Sequence, residues 1–330
     1  MRLLFVYQDL RLASSRIRVV QTLPYLQELG CHCRALAYPS ETRSLWDLVR
    51  SSAQYDLVLL QKKLPSRLDA LIWQTSRAPI VYDYDDAVML RQKQKRGEWR
   101  SRTRRGRFER VVRLASGVTA GNRWLASRCT GTKIQALVLP SPVPFPVSSR
   151  LDQPPNRVPV IGWIGGAGNL DSLDLVAPAL VSLSKRRKFV LRVISNTNYE
   201  LDGVRVENLQ WSIESQEAKL ARLDIGIMPL EDTPWSQGKC AYKLLQYMAA
   251  GVLGVGSAVG MNTEVIADRE NGLLVRNRSD WESVLEDALD DIDLRLRLGA
   301  EGRRSVAANY TYPRIARRWL KFFQMIRELG

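Results

Sequence analysis

Three aspartates follow a run of apolar residues closely in the sequence VYDYDDAV at 81–88. Asp83, Asp85 and Asp86 are predicted to lie at the carboxyl end of a buried strand, where three carboxylates are costly unless they are solvated or bound. We interpret them as candidate catalytic residues that orient a hydroxyl compound or face a reaction centre. Capping of a following helix by Asp85 or Asp86 is an equally good interpretation.

A glycine-rich turn in VIGWIGGAGN at 160–169 offers a second kind of chemistry. A strand is predicted to end there and a helix to begin near Asn169, with Gly165 and Gly166 in the turn. Glycine lets the backbone approach a phosphate group, and a helix N-terminus offers unpaired N–H groups and a partial positive charge. The pattern is neither the dinucleotide fingerprint nor a P-loop, so an ordinary tight turn stays the alternative.

Two lysines are the candidate cations for such a phosphate. Lys239 and Lys243 are predicted one turn apart, on one face at the start of a helix over 239–250, where they would neutralise a leaving diphosphate. A lysine is otherwise disfavoured at a helix N-terminus, which favours this role over two solvated lysines. Ser195 and Asn196 end another predicted strand and are expected to face the same ligand.

Polar residues also follow the first predicted strand, LLFVY at 3–7. We predict that Ser14, Ser15 and Arg16 bind the second substrate, with Arg16 as a candidate phosphate ligand. No bound metal is expected. The cluster Cys31-His32-Cys33 lacks a second pair of zinc ligands, so the start of a strand is the favoured interpretation.

These residues need elements that bring strand ends together. Apolar runs alternate with helical patterns along the whole chain, which predicts an α/β fold of parallel sheets covered on both faces. Seven prolines between 140 and 159 predict a linker that divides the chain almost in half. We therefore predict doubly wound, Rossmann-like domains over 1–150 and 151–310, facing across a cleft. A helix over 311–330 is expected to pack back across the boundary.

The charge of the chain is strongly basic. The formal net charge is +15 over 330 residues, and segment 91–113 holds eleven Lys or Arg against two Glu. Such a segment attracts phosphates on lipid headgroups, nucleic acid or a charged acceptor, and a solvated helix face is the alternative. With neither an apolar run long enough to cross a membrane nor a signal-peptide pattern, we expect a cytoplasmic protein, peripheral on the inner face of the cell membrane.

The segment at 224–275 carries a family resemblance, in the pieces DIGIMPL, KLLQYMAAG, VLGVGSAVG, MNTEVI and ENGLLV. It resembles the donor domain of retaining glycosyltransferases of family 4, which have two Rossmann-like domains (the GT-B architecture). The resemblance is close over about the last half of the chain and looser over the first half. It implies sugar transfer from a nucleoside-diphosphate sugar to a glycan or glycolipid hydroxyl, as in enzymes of cell-surface polysaccharide synthesis.

The resemblance also implies that this donor is a co-substrate, that no cofactor or metal takes part, and that configuration is retained. It places Trp211, Gln246 and Glu264 near the donor. The family usually has a glutamate where this chain has Gly238 and Gln246. It also usually has an arginine and a lysine after the first strand of the donor domain, where Trp163 and the glycine turn stand here.

Three other classes of protein are alternatives to this prediction. A catalytically degenerate homologue that binds nucleotide without turnover is favoured by the missing glutamates. A nucleic-acid-binding protein is favoured by the charge alone, because no aromatic-interleaved platform or known binding module accompanies it. A dinucleotide-dependent oxidoreductase lacks both the glycine fingerprint and the acid that binds the ribose.

Overall fold

The computed structural model describes residues 1–91, 99–130 and 136–329. The chain divides into two compact units. The N-terminal unit comprises Met1–Pro142, Gln237–Cys240 and Tyr312–Gly330, and the C-terminal unit comprises Val143–Ser236 and Ala241–Thr311. The N-terminal unit is therefore assembled from three separate stretches of sequence.

The sequence predicted the boundary between the units at residue 150, but it lies between Pro142 and Val143. Residues 143–150 belong to the C-terminal unit because they are hydrogen-bonded to it. The Val143 amide donates to the Tyr310 carbonyl at 2.9 Å, and the Arg150 amide donates to the Ala250 carbonyl at 2.7 Å. The Arg150 guanidinium is buried and lies 2.6 Å from the Asp224 carboxylate.

The N-terminal unit is built on a parallel sheet. In the described residues its strand order is β2-β1-β3-β4-β5-β6, and every adjacent pair is parallel. The strands coincide closely with the apolar runs of the sequence. The exception is the run IQALVL at 134–139, which predicts a longer strand than the observed β6; residues 134 and 135 of this run lie outside the described residues. The strands are β1 Arg2–Tyr7, β2 His32–Ala37, β3 Leu57–Gln61, β4 Ile80–Tyr84, β5 Gly117–Ala120 and β6 Leu137–Val138.

A second parallel sheet forms the C-terminal unit, with the order β12-β11-β10-β7-β8-β9 in the described residues. Two parallel sheets with interspersed helices confirm the predicted α/β class. The edge strand β9 was not predicted. The strands are β7 Val160–Ile164, β8 Val190–Ser195, β9 Val206–Gln210, β10 Ile225–Met228, β11 Leu253–Ser257 and β12 Leu273–Val275.

Helices connect the strands of both sheets. In the described part of the chain, no helix is long and apolar enough to cross a membrane. The helices are α1 Leu23–Glu28, α2 Thr42–Ser51, α3 Arg67–Trp73, α4 Arg102–Leu114, α5 Arg123–Ala126, α6 Ala177–Ser184, α7 Gln216–Leu220, α8 Pro234–Gln237, α9 Tyr242–Ala249, α10 Asn262–Val265, α11 Trp281–Asp290, α12 Ile292–Asn309 and α13 Tyr312–Leu329.

Two predicted helices are subdivided in the structure. The helical spacing of apolar residues from Ser15 to Leu29 predicts one helix, but the structure there consists of a π-helical turn at Ser15–Val19, a 3₁₀ turn at Val20–Thr22 and α1. The helix expected from Asn169 to Leu183 begins as a 3₁₀ helix at Ala167–Leu175 and continues as α6. A π-helical turn rotates the residues that follow it, which changes the side chains turned toward the sheet.

Helix α13 completes the core of the N-terminal unit. Its Trp319 and Phe323 are fully buried beside Phe5 of β1, with ring centroids 5.9 and 6.3 Å from the Phe5 ring. Phe322 and Ile326 belong to the same apolar cluster. This unit therefore depends on the last residues of the chain for its hydrophobic burial.

Tyr247 anchors helix α9 on the sheet of the C-terminal unit. Its hydroxyl accepts a hydrogen bond from the Ile164 amide at 3.0 Å and donates to the Ile227 carbonyl at 3.3 Å. A Cβ on Gly226 would lie 2.2 Å from the Tyr247 ring, so only glycine allows this close approach. Lys243 lies one turn earlier on the same face of α9 and is thereby positioned over the end of β7.

His32 and Cys33 begin strand β2 and Cys31 directly precedes it, which agrees with the strand start that the sequence favoured. Cys31 is buried in the apolar cluster of the N-terminal unit. Burial raises the pKa of the Cys33 thiol to about 12 and also raises the pKa values of the thiols of Cys31, Cys129 and Cys240.

These thiols are expected to be inert in the folded protein, because the thiolate is the reactive form. At pH 8, a thiol of pKa about 12 is about a thousandfold less ionised than one at the usual value of about 9. We expect slow labelling by a disulfide reagent at pH 8, a rate that still rises above pH 9, and fast labelling in urea. The Cys33→Ser variant identifies the signal of Cys33, and rapid native labelling of that thiol at pH 8 would contradict the prediction.

Candidate functional site

A lysine that the sequence analysis did not select organises the polar residues of the N-terminal unit. Lys62 follows β3 with a φ of 60°, in the left-handed region that non-glycine residues rarely adopt. Its Nζ lies 2.5 Å from Asp86 Oδ2, 3.2 Å from Asp85 Oδ1 and 3.3 Å from Ser14 Oγ. The adjacent parallel strands β1, β3 and β4 thus bring these four side chains to one edge of the sheet.

The carboxyl groups of Asp85 and Asp86 have opposite pKa shifts. Burial raises the pKa of Asp85 more than the attraction of Lys62 lowers it. Burial also acts to raise the pKa of Asp86, but Lys62 and Lys239 together hold it below its usual value. The two carboxyl groups therefore differ in acidity, and Asp85 is the more readily protonated of the pair. Two acids with separated pKa values are suited to acid–base or orienting roles.

Asp83 has a different environment from its two neighbours. It is fully buried, and Arg18 binds it with two hydrogen bonds, from Nε to Oδ2 at 2.9 Å and from Nη2 to Oδ1 at 2.5 Å. The Thr119 hydroxyl donates to Oδ1 at 2.6 Å. Both carboxylate oxygens are thus engaged away from solvent, so a catalytic role does not fit Asp83. That role stays a prediction for Asp85 and Asp86.

The segment Gln237–Cys240 belongs to the N-terminal unit and lies beside these acids. The Asn122 side chain donates to the carbonyls of Gln237 and Lys239, each at 2.9 Å, and Lys239 Nζ lies 3.4 Å from Asp86 Oδ1. The Cys240 thiol donates to the Asp85 carbonyl at 3.1 Å. Helix α9 begins only at Tyr242, because Ala241 adopts a left-handed φ of 49°. The prediction that Lys239 and Lys243 share one helical face is therefore wrong.

The residues predicted to bind the second substrate occupy different environments. Ser14 contacts Lys62, whereas Ser15 is fully buried and donates to Gln61 Oε1 at 3.1 Å. The Arg16 guanidinium donates to the carbonyls of Leu10 and Arg11, both at 2.9 Å. Only Ser14 therefore joins the cluster around Asp86, and substrate binding by the three stays a prediction.

In the C-terminal unit, the glycine turn follows β7, and the Lys243 side chain lies next to it. Lys243 Nζ lies 5.3 Å from the centre of the Trp163 ring, within the range of a cation–π contact. A Cβ on Gly165 would lie 2.6 Å from that ring, which explains the glycine, while Gly166 faces open space. Asn169 is exposed in the 3₁₀ helix that follows. The turn thus presents backbone amides and one positioned cation.

Strands β8 and β9 end next to this turn. The Trp211 amide donates to the Ser195 carbonyl at 3.0 Å. The Trp211 indole and the Gln246 amide each donate to Gln216 Oε1 at 3.3 Å, so Gln216 joins two predicted donor-binding residues. Gln216 is therefore a candidate site residue that the sequence analysis missed. Its position within a helix after a strand end carries no distinctive motif.

Two buried polar groups at this edge have no hydrogen-bond partner in the described residues, the Ser195 hydroxyl and the Trp163 indole N–H. Such groups cost free energy unless a ligand or water satisfies them. Asn196 is exposed next to Ser195 and accepts a weak hydrogen bond from Gln210 at 3.4 Å. The carboxyl edge of the C-terminal sheet therefore has unsatisfied hydrogen-bonding capacity beside a cation.

Glu264 and the basic segment 91–113 are the remaining predicted residues. Glu264 lies exposed in α10, after β11 and its loop. Of the basic segment 91–113, the structure describes Arg91 and residues 99–113, which include α4, and residues 92–98 lie outside the described residues. Metal-binding clusters of three or more His, Cys, Asp or Glu are absent from the described ranges.

Comparison with known proteins assigns a class to this arrangement. Residues 158–291 match the family model described as glycosyl transferases group 1. This range begins just before β7 and contains every residue predicted to bind the donor. No curated protein sequence matches the chain.

Solved structures extend the likeness to the whole fold. The chain is similar to sucrose-phosphate synthase from Thermosynechococcus elongatus, with a TM-score of 0.76, 14% identity and 100% of both chains covered. It is also similar to Anabaena HepE in complex with UDP-glucose (TM-score 0.70, 13% identity, 98% of this chain and 100% of that chain). A third similar structure is that of WaaB, a lipopolysaccharide outer core galactosyltransferase (TM-score 0.67, 11% identity, 97% of this chain and 98% of that chain covered).

The fold and the matched domain together define the class, a glycosyltransferase with two Rossmann-like domains, which confirms the resemblance drawn from the sequence. More particularly, the C-terminal unit carries a group 1 glycosyltransferase domain.

Proposed function

We propose that the chain transfers a sugar from a nucleoside-diphosphate sugar to a hydroxyl of a glycan or glycolipid acceptor. The observation that carries the proposal is the group 1 domain match over 158–291, because this range contains the glycine turn, Ser195, Trp211, Lys243 and Gln246. The polysaccharide-type acceptor is supported by the likeness to WaaB, a lipopolysaccharide outer core galactosyltransferase.

The donor is bound by the C-terminal unit in this proposal. Lys243 and the amides of the glycine turn hold the diphosphate and stabilise its charge as it leaves. The unpaired Ser195 hydroxyl and Trp163 indole are available to hydrogen-bond the ligand. Trp211 and Gln246, joined by Gln216, form the wall beside the ends of β8 and β9.

The reaction exchanges one bond at the anomeric carbon for another. The bond from this carbon to the diphosphate oxygen breaks, and a bond to the acceptor oxygen forms. The acceptor proton passes to the departing diphosphate on the same face of the sugar, so the product retains the configuration of the donor. The diphosphate charge is neutralised by Lys243 and the turn amides, without a metal. Asp85 and Asp86 with Lys62 orient the acceptor hydroxyl in the N-terminal unit.

We also propose that the enzyme acts at the cytoplasmic face of the cell membrane, held there by the basic segment 91–113. The charge density of this segment supports contact with anionic lipid or with an anionic acceptor. Nucleic acid is a less suitable partner, because bases stack on exposed aromatic side chains, and in the described part of the segment Trp99 is only partly exposed and Phe108 is buried.

A second candidate function is nucleotide binding without turnover. The observation that favours it is the replacement of two family glutamates by Gly238 and Gln246. The two functions make the same prediction for binding and opposite predictions for product formation.

Thermal unfolding with UDP, GDP, ADP and CMP, each with and without magnesium, tests the donor site. UDP is the first choice, because the similar HepE structure holds UDP-glucose. We expect one diphosphate to stabilise the protein without metal, by about 2.7 kcal/mol at 100 times its dissociation constant. The matching sugar donor then yields product, whose anomeric configuration is read by NMR. Stabilisation by none of the four contradicts the proposal, and stabilisation without product favours the second candidate.

A further inference from the structure

A cavity of about 650 Å³ lies in the N-terminal unit, at the amino ends of β4 and β5. Asp85 and Asp86 lie beyond the opposite, carboxyl end of β4, so this cavity is separate from the acidic cluster. Helices α3 and α4 form its walls. Its lining includes Trp73, Gln74, Arg77, Arg110, Arg113 and Ser116.

Three arginines surround this cavity without a neutralising acid. Arg77, Arg110 and Arg113 form no ion pair with a carboxylate in the described part of the chain, and Glu109 of α4 is engaged by Arg105 at 2.7 Å. Arg110 has only a long hydrogen bond, 3.4 Å, to the Pro65 carbonyl. Arginines that line one concave surface repel one another, and their guanidinium groups are donors suited to phosphate.

Two exposed leucines lie on α3, the helix that forms one wall of the same cavity. Leu68 and Leu71 are 53% and 60% exposed and lie three residues apart on α3, so they share one face. Gln74, three residues after Leu71, lines the cavity. Exposed leucines next to uncompensated arginines combine the two features of a membrane-surface contact, apolar insertion and attraction to anionic headgroups.

We propose that this cavity, the arginine pocket, binds the phosphate group of an anionic lipid headgroup while Leu68 and Leu71 enter the membrane interface. The inference rests on the proposed membrane association and specifies its site, and it does not depend on donor binding. Nucleic acid fits the pocket less well, because its lining aromatic residue, Trp73, is fully buried and offers no stacking face.

Sedimentation with vesicles of phosphatidylcholine, with and without phosphatidylglycerol, tests this inference. The pocket variant Arg77→Gln/Arg110→Gln/Arg113→Gln is compared with the control Arg100→Gln/Arg102→Gln/Arg107→Gln, which removes the same charge from basic residues that do not line the cavity. We expect strong binding of the wild type to the anionic vesicles alone. The pocket variant is expected to bind on the order of 100-fold more weakly, about fivefold per arginine, and the control variant to retain more binding.

Two further arms separate the sources of the phosphate and the class of partner. Leu68→Ser/Leu71→Ser is expected to weaken vesicle binding, because the leucines contact lipid. Equal wild-type binding to both vesicle types, equal losses in the two arginine variants, or a pocket-dependent response to pyrophosphate or an oligonucleotide without vesicle binding would each overturn the inference. Stabilisation by UDP is measured on every variant, so that failure of the donor site and failure of the pocket are distinguished.

Discussion

Replacing Arg18 with leucine is expected to lower the free energy of unfolding by about 3–5 kcal/mol, because the change leaves the Asp83 carboxylate buried without its partner. Arg18 and Asp83 are 1% and 0% exposed, and Arg18 Nη1 also donates to the Leu139 carbonyl at 2.9 Å. Burial lowers the pKa of Arg18, but Asp83 more than offsets this effect, so its pKa lies above the usual value. The arginine therefore stays charged at every pH at which the protein is folded.

Urea unfolding followed by circular dichroism measures this loss. The matched control is Arg105→Ala, since Arg105 is 76% exposed and its pair with Glu109 is expected to contribute no more than about 0.5 kcal/mol. The double variant Arg18→Leu/Asp83→Leu should lose less than the sum of the two single variants, because each single variant strands a buried charge. A loss below about 1 kcal/mol for Arg18→Leu would show that water reaches the pair.

The Lys243→Gln variant is expected to lose the stabilisation by nucleoside diphosphate and to lower turnover by about 10²–10³-fold, the cost of removing one positioned charge-stabilising donor. Glutamine keeps much of the side-chain stem over Trp163 but removes the cation. The measurements are the thermal shift with the diphosphate identified for the wild type and the initial rate with its sugar donor.

Lys239→Gln is the matched comparison, because it removes the same charge four residues earlier. Lys239 pairs with Asp86 in the N-terminal unit, so we expect nucleotide stabilisation to be retained and the rate to fall through the acceptor. If Lys239→Gln abolishes nucleotide stabilisation and Lys243→Gln does not, the assignment of the diphosphate to Lys243 is wrong.

The sequence predicts the two sheets well because their strands are continuous apolar runs, as buried parallel strands require. It does not predict β9, whose sequence VENLQ is largely polar and half-exposed. An edge strand is paired on one side only, so its composition need not be apolar. The boundary was predicted at 150 because of the prolines. The observed boundary lies earlier, because the backbone hydrogen bonds of Val143 and Arg150 join these residues to the C-terminal unit.

The candidate site is predicted where it depends on strand ends, as for Ser195 and Asp86, because parallel strands deliver their carboxyl ends to one edge. The sequence does not predict the site where a single backbone angle determines the position of a side chain. The left-handed Ala241 separates Lys239 from α9, and the left-handed Lys62 turns its ammonium toward two aspartates. Arg18 was missed because a charged residue in a helical pattern is expected on the surface, and its acid lies 65 positions away.

The assembly of the N-terminal unit from three stretches of sequence constrains when it can fold during synthesis on the ribosome. Strand β1 is synthesised before the C-terminal unit, whereas Trp319 and Phe323, which cover Phe5, are synthesised after it. Until α13 has been synthesised, the sheet of the nascent N-terminal unit exposes an apolar face. By that time the C-terminal unit, which ends at Thr311, has already been synthesised. The order of domain completion is thus the reverse of the order of translation, and a growing chain of this kind is a natural client for chaperones that bind exposed apolar surface.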